Sequence, residues 1–236
     1  MDYAQSAATA PAGWTHFRVA DLDRLPPAVK SHEMARVPAS EQERLARGDH
    51  DAGERLLKAF FWTFVYHLEP VLWDKLASAE PIHPELLDAL PETVGRALDV
   101  GAGSGRLTVH LAGRSRRLTA VEPSTGLSLL LRRRLPAASV VAGWAEALPI
   151  RDACFQLTAA CGSFGPDLDV LRELHRVTEK GGIIALISPE SPEWFQARGW
   201  RRISVARAPA PDHEDWIDDF FGPPDPPHEL VMTQVA

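Results

Sequence analysis

Arg96-Ala-Leu-Asp-Val-Gly-Ala-Gly-Ser-Gly-Arg-Leu-Thr-Val-His-Leu111 is the stretch from which the fold is read. A short apolar run ending at Asp99 predicts a buried strand. Gly101, Gly103 and Gly105 follow at alternate positions. Glycine lacks a Cβ and tolerates positive φ, so such a turn brings backbone close to a ligand. The pattern from Arg106 predicts a helix whose N-terminus is aimed at that ligand. A strand, glycine turn and helix in this order predict a nucleotide-like ligand.

The spacing narrows the choice. A dinucleotide fingerprint, G-x-G-x-x-G, would place its third glycine at position 106, which is Arg106. A phosphate-binding G-x-x-x-x-G-K-[ST] stretch does not occur. Asp99-x-Gly101-x-Gly103-x-Gly105 resembles motif I of the class I S-adenosylmethionine-dependent methyltransferases.

Composition bounds the alternatives. The chain has 236 residues, enough for one α/β domain with an added segment. The formal net charge of −7 argues against a nucleic-acid partner, which needs basic surface. Only Cys154 and Cys161 occur, so neither a disulfide framework nor a cysteine-rich metal site is expected. Met1-Asp-Tyr-Ala-Gln lacks a basic region before an apolar one, so no signal peptide is expected. Leu56–Tyr66 is the most apolar run; Lys58 interrupts it, and it is too short to cross a bilayer. No membrane association and a cytoplasmic location are expected.

Outward from the glycine turn, the chain reads as three segments. Residues 1–39, rich in alanine and proline, are expected to be extended or partly disordered, with one short helix over 28–34. Residues 40–92 read as a helical cap segment. Ser40 with Glu43, and Asp51 with Glu54, are capping-box patterns for helices over 41–47 and 52–68. Shorter helices are expected over 71–77 and 85–90. Phe60, Phe61, Trp62, Phe64 and Tyr66 surround the circumference of the 52–68 helix, so one face cannot hold them all. They are expected to pack on two sides, with some rings available to roof an apolar substrate pocket. Residues 93–236 alternate strand and helix. Strands are expected over 117–122, 139–142, 155–161, 183–188, 200–208 and 229–235, and Ser124 and Asp167 are helix caps. The predicted architecture is an α/β, Rossmann-like doubly wound sheet of about seven strands. It is mostly parallel, with the last strand antiparallel and an N-terminal helical extension.

Three further stretches carry the resemblance over about residues 94–188. Glu122 ends the second strand, where a carboxylate accepts hydrogen bonds from both ribose hydroxyls. Gly143-Trp-Ala-Glu-Ala-Leu-Pro149 is similar to a G-D-A-E-x-L-P loop. Leu171-Arg-Glu-Leu-His-Arg-Val-Thr-Glu-Lys-Gly-Gly182 is similar to the L-x-E-x-x-R-V-L-K-P-G-G stretch of the ubiquinone and menaquinone biosynthesis methyltransferases. There Glu173 and Arg176 look structural. The resemblance implies S-adenosyl-L-methionine as cofactor and a small-molecule methyl acceptor. It implies cofactor contacts from Asp99, Gly101, Ala102, Gly103, Gly105, Glu122, Pro123, Trp144, Ala145, Glu146, Cys161 and Gly162. Two positions depart from the pattern. Trp144 stands where the family has an adenine-reading Asp; its indole only donates, so either it stacks on the adenine instead or the readout moves to Glu146 or to backbone. Gln156 replaces an acid on the fourth strand.

No general base stands out. His67 is the weak candidate; His110 and His175 read as structural and solvent-facing. Asp212, His213, Glu214 and Asp215 read as a solvated loop or helix start, and no metal site is expected. The competing reading is a non-catalytic S-adenosylmethionine-binding or interaction protein on the same fold. A nicotinamide-dependent oxidoreductase ranks third, because of Arg106. An RNA substrate is disfavoured by charge and by the lack of N-P-P-[YF] after the fourth strand.

Overall fold

The computed structural model describes residues 2–209 and 211–236. The chain divides into two units, Met1–Leu76 with Asp212–Pro224, and Ala77–Pro211 with Asp225–Ala236. This differs from the three-segment reading, because residues 212–224 group with the N-terminal helices.

The first unit is helical. It contains α1 (Tyr3–Ala8), α2 (Pro27–Met34), α3 (Ala39–Ala46), α4 (His50–Ala59), α5 (Phe61–Leu68), most of α6 (Pro70–Ala79) and the helix Asp215–Phe221. Residues 3–8 therefore form a helix where extended chain was expected, while α2 covers the short helix expected over 28–34. Asp2 caps α1 through a reciprocal box with Gln5, and Phe17, Leu25, Val29 and Val37 are buried. Scattered single anchors of this kind leave no periodicity to read. The 52–68 helix is broken at Phe60, whose φ of −98° and ψ of 7° leave the helical region. The break lets Phe60, Phe61, Phe64 and Val65 all be buried, which one straight helix with rings all round does not allow. Asp49, not Asp51, caps α4, and α3 starts after Pro38 without a side-chain cap. Phe17 stacks on Phe64 at 5.0 Å, and Trp62 on Phe221 at 5.7 Å.

The second unit is built on one sheet. Its strands are β1 (Val94–Val100), β2 (Ser115–Val121), β3 (Ser139–Val141), β4 (Phe155–Cys161), β5 (Thr178–Ile187), β6 (Arg201–Ser204) and β7 (Leu230–Val235). They lie in the order β3-β2-β1-β4-β5-β7-β6. The first five pair in parallel, and β7 runs antiparallel to both β5 and β6. This is the expected Rossmann-like sheet. The helices of this unit are α7 (Pro84–Leu87), α8 (Thr108–Ala112), α9 (Thr125–Arg134), α10 (Leu168–Val177) and α11 (Pro192–Gln196). Alternate residues of each strand face opposite sides, so the sheet separates two cores. Ala97, Leu157 and Ala159 pack with Leu86, Leu107 and Leu111 on one face. Leu98, Val100, Ile184 and Leu186 pack with Val170, Leu174 and Phe195 on the other. Order reverses at β1, whose neighbours are β2 and β4, and in open α/β sheets the carboxyl ends of the strands at such a switch point are where ligands bind.

Candidate cofactor site

Asp99 lies on β1, 1% exposed. Its Oδ2 accepts a hydrogen bond from Thr108 Oγ1 at 2.6 Å, while its Oδ1 is buried and has no partner. Burial, and then the charge of Glu122, push its carboxyl up to about 7. Past Val100 the chain turns through Gly101, Gly103 and Gly105, with φ of 68°, 57° and 108°. Gly101 and Ala102 donate backbone N–H bonds to Val121 O on β2, which pins the turn to the neighbouring strand. A Cβ at Gly105 would lie 2.7 Å from Leu131 Cδ1, so the turn is packed as well as strained for any other residue. The regular helix after the turn is shorter than expected. Val109 N already bonds Gly105 O, but α8 is regular only from Thr108, not from Arg106.

Glu122 follows β2 and is 6% exposed. Its Oε2 accepts from Gly103 N at 2.8 Å and its Oε1 from Ser124 N at 2.8 Å. Burial raises its carboxyl, and these two N–H bonds oppose the rise. Glu122 therefore ties the glycine turn to the start of α9. Each oxygen keeps a further lone pair for a ligand hydroxyl. Ser124 caps α9 as expected, accepting from Leu127 N. Pro123 is half-buried between them.

Trp144 and Ala145 are half-buried and Glu146 is exposed, in a turn where Ala147 N donates to Trp144 O. The following loop is locked from below by α10. Arg176 donates to Ile150 O at 2.7 Å, to Leu148 O at 3.1 Å and to both oxygens of Glu173. Glu173 Oε2 also accepts from Leu148 N at 2.7 Å. The structural role expected of Glu173 and Arg176 is to hold this loop.

Cys161 ends β4. Burial pushes its thiol up to about 12, so it stays protonated and is no nucleophile at neutral pH. Gly162 follows with φ of 61°, and a Cβ there would lie 3.7 Å from Arg106 Nη2 and 3.6 Å from the His228 ring. Arg106 Nη1 donates to Glu80 O and Glu80 Oε2, each at 3.1 Å, and to His228 Nε2 at 2.8 Å. Arginine only donates, so His228 is the neutral acceptor here; burial, then the Arg106 charge, lower its imidazole to about 3. The network fixes the residue that follows the glycine turn. Sequence reasoning used Arg106 only against a dinucleotide and passed over Glu80, Thr108, Ser163 and His228. The signal available was Thr108 alone, since a hydroxyl just after the glycine turn suits a carboxylate at its start.

The histidine candidates separate. His67 lies in the helical unit, and burial lowers its imidazole to about 4, so it is neutral and a weak proton acceptor. His175 is exposed, as expected, and lies 3.1 Å from Gln234 Oε1. His110 is half-buried on α8. In the 212–215 stretch, His213 pairs with Asp218 at 2.8 Å, and Glu214 pairs with Lys75 and with Trp216 Nε1. Among the described residues no group of three or more His, Cys, Asp or Glu is arranged to hold a metal.

The residues present fit S-adenosyl-L-methionine. An orphaned buried carboxylate oxygen and a glycine turn that no side chain fills are the acceptor and the close backbone approach that such a ligand needs. Comparison with known proteins agrees. Residues 97–182 match the family described as a methyltransferase domain. Over 107 residues the chain is 34% identical to an uncharacterized methyltransferase of Mycobacterium tuberculosis, covering 44% of each. Over 114 residues it is 36% identical to a demethylmenaquinone methyltransferase of Beutenbergia cavernae, covering 46% of this chain and 47% of that one. The match thus spans less than half the length of these curated relatives. A solved structure reported under "Conversion of a Disulfide Bond into a Thioacetal Group during Echinomycin Biosynthesis" shares the fold. It has a TM-score of 0.50 at 17% identity, over 65% of this chain and 81% of that one. Over residues 97–182 the chain is thus similar to the methyltransferase domain, and the class I proteins that carry it use S-adenosyl-L-methionine.

Proposed function

We propose that this protein transfers a methyl group from S-adenosylmethionine to a small-molecule acceptor. The observation that carries the reading is the pair of buried carboxylates, Asp99 and Glu122, at the ends of adjacent strands. Burial raises both, and the charge of Glu122 raises Asp99 further. As they ionise, two carboxylates held out of water favour a cationic ligand and oppose a pyrophosphate. Asp99, beside the glycine turn, adds to the missing third glycine against a nicotinamide dinucleotide, whereas an acid at the Glu122 position also serves a dinucleotide ribose.

In this reading Asp99 and the Gly101–Gly105 turn hold the methionine end of the cofactor. Glu122 takes the ribose, and Trp144, Ala145 and Glu146 flank the adenine. Cys161 and Gly162 line the side from which the acceptor approaches. The bound cofactor supplies a methyl group on an activated sulfonium. The chain's own work is alignment: the Glu122 and Arg106 networks hold the two sides of the glycine turn still, which is where positioning lowers a displacement barrier. Cys161 enters as a neutral thiol, without a covalent step. No residue is assigned as base, because burial leaves His67 a weak one; an acceptor already deprotonated at working pH needs none.

The small-molecule acceptor follows from the net charge of −7, which suits neither RNA nor DNA. The cytoplasmic placement rests on two free thiols, Cys154 and Cys161. Among the described residues no helix is long and apolar enough to cross a membrane. Trp144 favours a second reading, a protein that binds the cofactor without turnover. Calorimetric titration with S-adenosylmethionine and S-adenosylhomocysteine, beside Glu122→Ala, tests the cofactor reading. Micromolar binding that the substitution weakens is expected; absence of binding by a folded protein overturns it. Methyl transfer to screened acceptors then separates the two readings.

A further inference from the structure

The loop after β4 makes an unusual contact with the glycine turn. Ser163 Oγ lies 3.2 Å from Gly101 O and 3.0 Å from Cys161 O, the carbonyls just beyond β1 and at the end of β4. A hydroxyl carries one proton, so it satisfies one of these acceptors at a time. The contact is close: a Cβ on Gly101 would meet Ser163 Oγ at 2.9 Å and Ser163 Cβ at 3.0 Å. Phe164 follows over the same spot, 3.6 Å from that Cβ position, and its carbonyl accepts from Glu190 N at 2.9 Å. The surroundings are electronegative. Asp99 stands one strand residue away from the turn with Oδ1 unpartnered, and its charge acts on Cys161.

Two convergent carbonyls and a nearby carboxylate are an acceptor set for a group with several N–H donors and a positive charge. We propose that the Ser163 hydroxyl is an internal stand-in for a ligand's primary ammonium group, so that ligand entry requires the 162–165 loop to release Gly101. The inference rests on the cofactor reading, which supplies such an ammonium on the methionine end. Three N–H donors replace one O–H, and charge-assisted bonds replace neutral ones. The exchange is downhill for the ligand but is opposed by the bonds that Ser163 already makes. Ser163 is thus a positioning residue that sets how selectively the site demands an amine, and it weakens the cofactor's affinity.

The test uses Ser163→Ala in the full chain. Ser163 is exposed, so the variant keeps the core intact, and a thermal melt checks that it folds. Wild type and variant are titrated calorimetrically with S-adenosylhomocysteine and with 5′-methylthioadenosine, which lacks the amino-acid end. The variant is expected to bind S-adenosylhomocysteine about fivefold more tightly, the worth of one hydrogen bond. Affinity for 5′-methylthioadenosine is expected to be unchanged. Equal or weaker binding of S-adenosylhomocysteine by the variant overturns the proposal, as does equal tightening of both ligands. Binding by wild type without tightening in the variant overturns this proposal alone. Binding of neither ligand by either protein overturns the cofactor reading as well.

Discussion

Replacing Asp99 by Asn should stabilise this protein above neutral pH while weakening its cofactor site. The folded state raises the Asp99 carboxyl from 3.8 to about 7. At about 1.36 kcal/mol per tenfold change in proton affinity, ionising it in the fold costs about 4 kcal/mol. Between those two values the folded protein holds a proton that the unfolded chain has released. Stability from this group therefore falls as pH rises through that window, and the full cost is present above pH 7. From pH 5 upward about 3 kcal/mol of it accumulates. Asn keeps the shape and an oxygen to accept from Thr108, but does not titrate. Its amide N–H donors replace the orphaned Oδ1 and lack an acceptor, which costs about 1–3 kcal/mol at every pH. The variant's stability relative to wild type should thus improve by about 3 kcal/mol between pH 5 and pH 8. Paired urea or thermal unfolding at the two pH values, at one ionic strength, measures that difference. Titrating groups that do not interact with Asp99 cancel in the comparison. A stability difference that is the same at both pH values would show that Asp99 is not held ionised at a cost, and would refute the electrostatic argument for a cationic ligand. Wild-type affinity for S-adenosylmethionine should rise from pH 6 to pH 8 as Asp99 ionises, and Asp99→Asn should lose both affinity and pH dependence.

Perturbations at four other positions have expected outcomes. Gly105→Ala meets Leu131 Cδ1 at 2.7 Å with φ at 108°, and should lower stability by about 2–3 kcal/mol. Gly48→Ala, with φ of 75° and nothing within 4 Å, should cost about 1 kcal/mol, and urea midpoints compare the two. Arg176→Lys should be almost as damaging as Arg176→Ala, about 2 kcal/mol, because one ammonium cannot serve Glu173, Ile150 O and Leu148 O together. Hydrogen exchange should show the loop after Trp144 loosening in both variants. Trp144→Phe should retain most affinity for S-adenosylhomocysteine, whereas Trp144→Ala should lose about fivefold if the ring stacks on adenine. Equal affinities in calorimetry would remove Trp144 from the site.

Local patterns made the second unit legible before any coordinates. The strand Phe155–Cys161 and the helices capped by Ser124 and Asp167 lie where an apolar run and capping residues place them. Their signals lie within a few residues of one another. The helical unit was harder to read. Its Phe60 break, its Asp49 cap and the helix over residues 3–8 depend on contacts that form only after folding. In the site, Asp99, Glu122 and the three glycines stood out as residue types at a spacing. Arg106, Glu80 and His228 did not, since they are brought together across 148 residues by tertiary structure.

By itself, then, the sequence determined that a buried strand carries Asp99 near its end, that the turn after it demands glycine, and that a parallel sheet follows. Backbone conformation and hydrophobic alternation are local properties, and each residue's own chemistry states them. Only the tertiary structure decided that Asp99 and Glu122 share one buried space, that Glu122 spends a bond on Gly103, and that Ser163 reaches Gly101. Charge states and orphaned atoms depend on what surrounds a group in three dimensions, and no spacing along the chain encodes that.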